Sequence, residues 1–418
     1  MTEPISDILR FATVGSVDDG KSTLIGRLLV DTRQLFDDQL EAVATASAKR
    51  GVGDLDLSFV TDGLRAEREQ GITIDVAYRY AATPTRKFVI ADCPGHVQYT
   101  RNMATGASTA EVALVVLDAT KGLKEQTRRH LCIAALLGVR NVIVAANKMD
   151  MAKWDEAVYL KVVDQVNEVS ARLGFTSSLV IPVSALEGDN VVEPSFVATW
   201  YQGPTVLQAL ESAPAGSWAS SSSGARLPIQ WVLRQHGGGR TYAGMINGGE
   251  FTVGQQVTLM PQGITTTLVG INGPRGAVEI AQPGLSVDFD LSDETDAGRG
   301  DMIATAPLPK ATTEFEATIC WFSEKPLADG ARLRLKHTTR STPVRVTGIS
   351  GTLDVGTLQV GGATEIALND IGLVHLATAD PIVVDDYRDN RVTGSFILID
   401  EVTNATVAAG MIGHANFL

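Results

Sequence analysis

Cysteine is scarce in this chain: Cys93, Cys132 and Cys320 are the three in 418 residues, too far apart for a disulfide framework or metal-ligand spacing. So sparse and odd a count fits a reducing compartment. Aromatics make up 6% of the residues, and long apolar runs are missing. The stretch Val112–Leu117 is closed by Glu111 and Asp118, far short of the roughly 20 residues that cross a bilayer. The opening Met1–Asp7 lacks a basic region followed by an apolar stretch, so no secretory signal is expected there. Excess basic charge is lacking too. A net charge of −13 argues against a broad footprint on a phosphate backbone. These absences lead to the expectation of a soluble, cytoplasmic protein that engages neither membrane nor nucleic acid.

What is present is ordinary globular composition, 44% apolar and 20% charged, over a length that accommodates two to four domains. Up to about residue 211, short β-type runs (Phe11–Val14, Val76–Ala81, Phe88–Ala91, Val112–Leu117, Asn141–Ala146, Leu179–Val183) alternate with helix-length stretches (Thr23–Val30, Glu125–Leu137, Asp155–Leu173). Uninterrupted apolar strands between helices predict an α/β domain with a mostly parallel sheet covered on both faces, over residues 1–213. Residues 214–225, rich in Ala, Gly and Ser, read as a linker. Beyond it the helical period disappears. Short segments rich in Val, Ile, Thr and Leu, such as Leu227–Leu233, Gln256–Met260, Thr265–Ile271, Ala331–Leu335, Val344–Ile349, Gly372–Thr378 and Gly394–Ile399, are separated by Gly- and Asn-containing turns. That spacing predicts small β-barrels. Pro307-Leu308-Pro309 divides the region, giving barrels at 226–308 and 310–418.

Five elements in the first domain carry chemistry. Gly15-Ser16-Val17-Asp18-Asp19-Gly20-Lys21-Ser22 follows a strand and runs into a helix at Thr23, the pattern of a phosphate-binding loop. Its backbone N–H groups at a helix N-terminus favour an anion, Lys21 is placed to reach the β- and γ-phosphates, and Ser22 supplies a hydroxyl for Mg²⁺. Asp92-Cys93-Pro94-Gly95-His96 closes the next strand. Asp92 is positioned to hold the Mg²⁺ shell through water, and Gly95 offers an unobstructed N–H to the γ-phosphate. Asn147-Lys148-Met149-Asp150 decides the base: a carboxylate at Asp150 can accept from guanine N1–H and the 2-amino group, neither of which adenine has. Ser184-Ala185-Leu186 completes the base pocket with a backbone N–H for guanine O6. Glu67–Ile74 includes Thr73, able to complete the Mg²⁺ shell and to sense the γ-phosphate as a switch segment. The long span between Lys21 and Thr73 leaves room for a helical insertion, Gln39–Lys49. The cofactors expected are GTP and Mg²⁺.

These elements, in this order and with two trailing barrels, resemble the translation-factor GTPase superfamily typified by elongation factor Tu. In that superfamily the histidine after the glycine orients the attacking water, which implies a catalytic role for His96 beside Lys21. One branch is more similar still, the GTPase subunit of bacterial ATP sulfurylase. The text that carries this likeness is Asp18-Asp19-Gly20-Lys21-Ser22-Thr23-Leu24-Ile25-Gly26-Arg27-Leu28-Leu29, Glu67–Asp75, Tyr99–Ser108, Asp389–Asp400 and Thr403–Ile412. Elongation factors have His before that glycine and Thr after the lysine. The likeness is looser at Gly237–Gly249, and Cys93 stands where many relatives carry Thr. The resemblance implies a subunit that couples GTP hydrolysis to the making of adenosine 5′-phosphosulfate from ATP and sulfate by a separate catalytic subunit of sulfate adenylyltransferase. No second phosphate loop follows residue 23, so the kinase domain fused to some relatives is not expected.

The rival reading is a translation-type GTPase carrying aminoacyl-tRNA. The barrels hold 14 Lys and Arg against 21 Asp and Glu, which is unpromising for RNA contact. A scaffold that binds GTP without turning it over is disfavoured because every required group is present. His130, His236, His337, His375 and His414 have no companions at ligand spacing and are read as structural, as are Trp154 and Trp200.

Overall fold

The computed structural model describes residues 8–34, 57, 75–96, 99–214, 223–234 and 239–413. Thr73, the expected insertion 39–49 and most of the expected linker lie outside the described residues. The chain forms two compact units, one built essentially from residues 1–217 and the other from the remainder.

In the first unit, strands β1 (Ile8–Gly15), β2 (Ala77–Ala82), β3 (Lys87–Asp92), β4 (Val112–Asp118), β5 (Asn141–Asn147) and β6 (Ser177–Pro182) form one sheet in the order β2-β3-β1-β4-β5-β6. All neighbours are parallel except β2 against β3. Alternate side chains of the central strands, Phe11, Ile90, Leu114 and Ile143, join a core with helices α1 (Lys21–Asp31) and α5 (Val206–Ser212). The intervening positions Ala12, Val115 and Val144 are equally buried. Burial on both faces is why β4 reads as an unbroken apolar run rather than an alternating one. Helices α2 (Thr100–Ala107), α3 (Glu125–Leu136) and α4 (Glu156–Leu173) complete the layers. The α4 helix starts where the Asp155 carboxylate accepts from the Ala157 N–H and stops at Gly174, which takes the left-handed conformation at φ 71°.

The second unit is all β. Its later part closes into a six-stranded barrel, because Arg332–His337 pairs with both Ser395–Ile399 and Arg340–Asp354. In its earlier part, the segment expected as one strand, Leu227–Leu233, is two: Ala225–Pro228 and Trp231–Arg234. The break at Ile229–Gln230 has a structural reason. The first half pairs near one end of the sheet's strand order and the second half lies at the other end. The kink therefore wraps the sheet round its core, and the Gln230 N–H donates to Ala243 O at 2.8 Å across the closure.

Arg226 and Arg340, which donates to Asp301 at 2.6 Å, are among the side chains that tie the two barrels together. Arg226 is 1% exposed, and its guanidinium meets Asp385 in a two-point pair at 3.0 and 2.9 Å. The remaining donors reach the carbonyls of Ala225, Thr305 and Pro307. All five guanidinium donors are thus satisfied, which is what makes burial of an arginine tolerable. Arg226→Met is expected to destabilise this unit by about 3–5 kcal/mol, because it strands Asp385 without its partner. Urea unfolding checks this, with Arg226→Met/Asp385→Leu expected to recover most of the loss. No described helix is long and apolar enough to cross a membrane.

Candidate functional site

The sheet brings the sequence motifs to one edge, at the carboxyl ends of β1, β3, β5 and β6, where the α/β architecture places ligand crevices. After β1 the chain turns sharply into α1. Gly20 takes φ 90°, a left-handed conformation that a side chain would strain, and a Cβ there would collide with the Asn147 amide. Gly95 sits against the Gly15 carbonyl with no room for a Cβ, so the loop after β3 closes directly over the phosphate loop. Lys21 and Asp92 are both buried, and the Lys21 ammonium contacts Asp92 Oδ1. Asp92 Oδ2 is buried with no hydrogen-bond partner. Thr13 also donates to Asp92 Oδ1, at 3.2 Å.

Asn147 is the brace of the site. Its amide donates to the Asp19 carbonyl at 2.8 Å, and its Oδ1 accepts from the Ala185 N–H at 2.9 Å. One buried side chain thus fixes both the phosphate loop and the Ser184–Leu186 loop. Lys148, at φ 65°, reaches the Asp18 carbonyl at 2.6 Å and Asp118 Oδ2 at 3.1 Å. Met149 is fully buried and anchors this loop by donating to Val183 O at 3.1 Å. The half-buried Asp150 carboxylate beside it accepts no hydrogen bond among the described residues. Ser184 is buried, and its hydroxyl accepts from the Glu187 N–H at 3.3 Å. Because Asn147 already takes the Ala185 N–H, the Leu186 N–H is the open donor in that loop among the described residues. Ser16 bonds Thr127 of α3 at 3.1 Å, while Val17 and Asp18 face solvent. His96 follows Gly95 with its ring edge-on to Tyr99, centroids 6.3 Å apart, and its Nδ1 is buried without a partner.

Residues 6–215 match the elongation factor Tu GTP binding domain family, and residues 314–413 match the GTP-eEF1A C-terminal domain-like family. A sulfate adenylyltransferase subunit 1 of Laribacter hongkongensis is 46% identical over 98% of this chain and 86% of that protein. The chain belongs to the sulfate adenylyltransferase subunit 1 family. A bifunctional enzyme CysN/CysC of Mycobacterium tuberculosis is 49% identical over 98% of this chain and 67% of that protein. A solved structure of Sup35 with GDP, 24% identical, covers 98% of this chain and 94% of that one at a TM-score of 0.44. The elongation factor Tu GTP binding domain at residues 6–215 makes this chain a guanine-nucleotide-binding protein.

Three supporting residues of this subunit 1 family member escaped the sequence reading. Arg27 of α1 donates to the carbonyls of Ala185 and Leu186, holding the base loop from below. Asp118, at the end of β4, sits among Lys148, Lys121 and Thr120. Burial alone would raise its carboxyl, but the hydrogen bonds from Thr120 and Lys148 outweigh that and hold it below the ordinary range. Lys124 donates to Asp19 Oδ1 at 2.6 Å. Arg27 and Lys124 meet partners more than 100 positions away, and Asp118, though local to Thr120 and Lys121, meets Lys148 30 positions on, so no local pattern announces these contacts.

His130 of α3 lies in the core. It is 1% exposed, with Gln126 at 2.9 Å from Nε2. Burial, aided by the positive charges of Lys21 and Arg129, pushes its imidazole down to about 3. A folded-state value below the ordinary 6.5 means that the unfolded chain takes up the proton first. Stability is therefore full above 6.5 and falls as the pH drops toward 3. The expected slope is about 1.4 kcal/mol per pH unit in that window. Urea midpoints at pH 6.5 and 5 should show it in the GTPase domain, and His130→Gln should flatten it.

Proposed function

We propose that this chain is the GTP-hydrolysing subunit of a sulfate adenylyltransferase, coupling GTP turnover to adenosine 5′-phosphosulfate synthesis on a separate catalytic subunit. The observation that carries the reading is the 46% identity to a sulfate adenylyltransferase subunit 1 across 98% of the chain, joined to a convergent nucleotide site. In this reading residues Gly15–Thr23 wrap the phosphates, with Lys21 on the β- and γ-oxygens. Asp150 and the Leu186 N–H read guanine.

The donor set fits Mg²⁺. Asp92 offers a buried carboxylate oxygen without a hydrogen-bond partner, and hard oxygen donors are what that ion prefers. Ser22 and Asp92, through water, would hold it, with Thr73 as the further ligand. The ion would offset charge on the triphosphate. His96 positions the attacking water by accepting one of its protons in a hydrogen bond, while Lys21 compensates charge on the phosphoryl oxygens.

The coupled reaction needs such a drive. Joining sulfate to the α-phosphate of ATP forms a phosphate–sulfate anhydride and releases pyrophosphate, and that anhydride has a high group-transfer potential. The uphill step calls for coupling to a downhill one, and the partner expected is the catalytic adenylyl-transferring subunit. The test is adenosine phosphosulfate formation by the reconstituted pair with GTP, with a non-hydrolysable GTP analogue and without nucleotide. Synthesis should rise with GTP alone. Unchanged synthesis across the three conditions would overturn the coupling.

A further inference from the structure

We propose that Lys124 is the counter-charge that allows the phosphate loop to contain an acidic residue, and that it thereby sets how steeply affinity rises with each phosphate of the bound nucleotide. This deepens, and rests on, the reading of Gly15–Ser22 as a triphosphate site. Asp19 stands inside the loop, one residue before Gly20, and is 1% exposed. Its backbone is pinned by the Asn147 amide on its carbonyl at 2.8 Å and by its own N–H on Ser16 O at 3.3 Å. The Cα that carries the carboxylate is therefore fixed inside the loop, and the side chain is buried there. Its Oδ1 accepts from Lys124 at 2.6 Å, whereas Oδ2 is buried with no hydrogen-bond partner.

The other charges nearby are committed elsewhere. Asp118, which opposes Asp19, is matched by Lys148 at 3.1 Å and Lys121 at 3.5 Å, and Lys21 contacts Asp92. Burial raises the Asp19 carboxyl and the Lys124 hydrogen bond pulls it back, consistent with a carboxylate that depends on this lysine. Lys124 sits at the start of α3, 105 positions away in sequence, and reaches the loop from a different element. A buried anion beside bound phosphates repels each added negative charge, and in a partly desolvated site that repulsion is not screened away. With Lys124 in place the pair is neutral and the repulsion cancels.

The test is a charge ladder. Dissociation constants for GMP, GDP and GTP are measured on the full chain with Mg²⁺, by displacement of a fluorescent GDP, for wild type, Lys124→Met, Lys124→Arg and Lys124→Met/Asp19→Asn. Lys124→Met should lose affinity by roughly ten-fold for each added phosphate charge, so GTP suffers most and GMP least. Lys124→Arg should keep the wild-type ratios, and the double variant should regain most of them. The ratio of the GMP to the GTP constant is independent of the folded fraction, so a variant that folds poorly still reports. An equal loss for all three nucleotides, or a double variant no better than Lys124→Met, would overturn the proposal. Failure of wild type to bind GTP at all would instead overturn the site reading on which it rests.

Discussion

Replacing His96 with alanine should lower single-turnover GTP hydrolysis about 10²–10⁴-fold while GTP binding stays within a few-fold of wild type. The expectation follows from where the histidine stands. Gly95 packs against the Gly15 carbonyl, so the next side chain emerges at the rim of the phosphate loop rather than behind it. The ring is steadied by Tyr99 and has a nitrogen buried without a partner. A group that positions water acts on the transition state and contributes little to ground-state binding, so the loss belongs in the chemical step. His96→Gln, which keeps a hydrogen-bonding group, should fall between the two. Unaltered hydrolysis by His96→Ala in rapid-quench measurements would remove the histidine from the mechanism.

The second large effect concerns the base. Asp150→Asn should weaken GTP binding by on the order of 10³-fold or more and raise affinity for xanthosine triphosphate. In the proposed reading the carboxylate accepts hydrogen bonds from guanine N1–H and the 2-amino group. An amide presents N–H where the guanine amino group also presents N–H, leaving both without acceptors. Xanthine carries a carbonyl at that position and can accept from the amide. The surrounding loop should hold its shape, because Met149 is buried and the Lys153 N–H donates to the Asp150 carbonyl, not to its side chain. Competition binding with the two triphosphates reads both halves. A variant that loses GTP without gaining the xanthine nucleotide would point to loop collapse instead of altered recognition.

The site was largely legible in sequence because each of its parts is a short contiguous run fixed to the end of a buried strand. The loop at Gly15–Ser22 needs small residues at set positions, and Asn147–Asp150 needs its brace and its carboxylate three apart. What stayed hidden depends on contacts between distant positions. Lys124 and Asp19 meet only because α3 packs beside the phosphate loop, and Arg27 serves a loop 158 positions onward.

The α/β layering was legible for the same reason as the motifs: β4 and β5 are apolar without interruption. Among the barrel strands the apolar centres were visible and the ends were not. Arg340–Asp354 extends well past the expected Val344–Ile349, and its register shifts at two bulges where Gly348 and Gly351 sit. Lys310–Trp321 was not expected at all: its first seven residues are exposed or half-exposed, with Phe315 alone among them packed against the core, and full burial begins at Ala317. A strand held by neighbours on both sides does not need a hydrophobic signature along its whole length.

The central claim is a pocket that selects guanine and grips its triphosphate. Equilibrium binding of a fluorescent GTP analogue to the purified chain with Mg²⁺, challenged by unlabelled ATP and GTP, tests it most directly. Displacement by GTP, with ATP ineffective at a thousand-fold excess, is the predicted result; displacement by ATP and GTP at equal concentrations would contradict it.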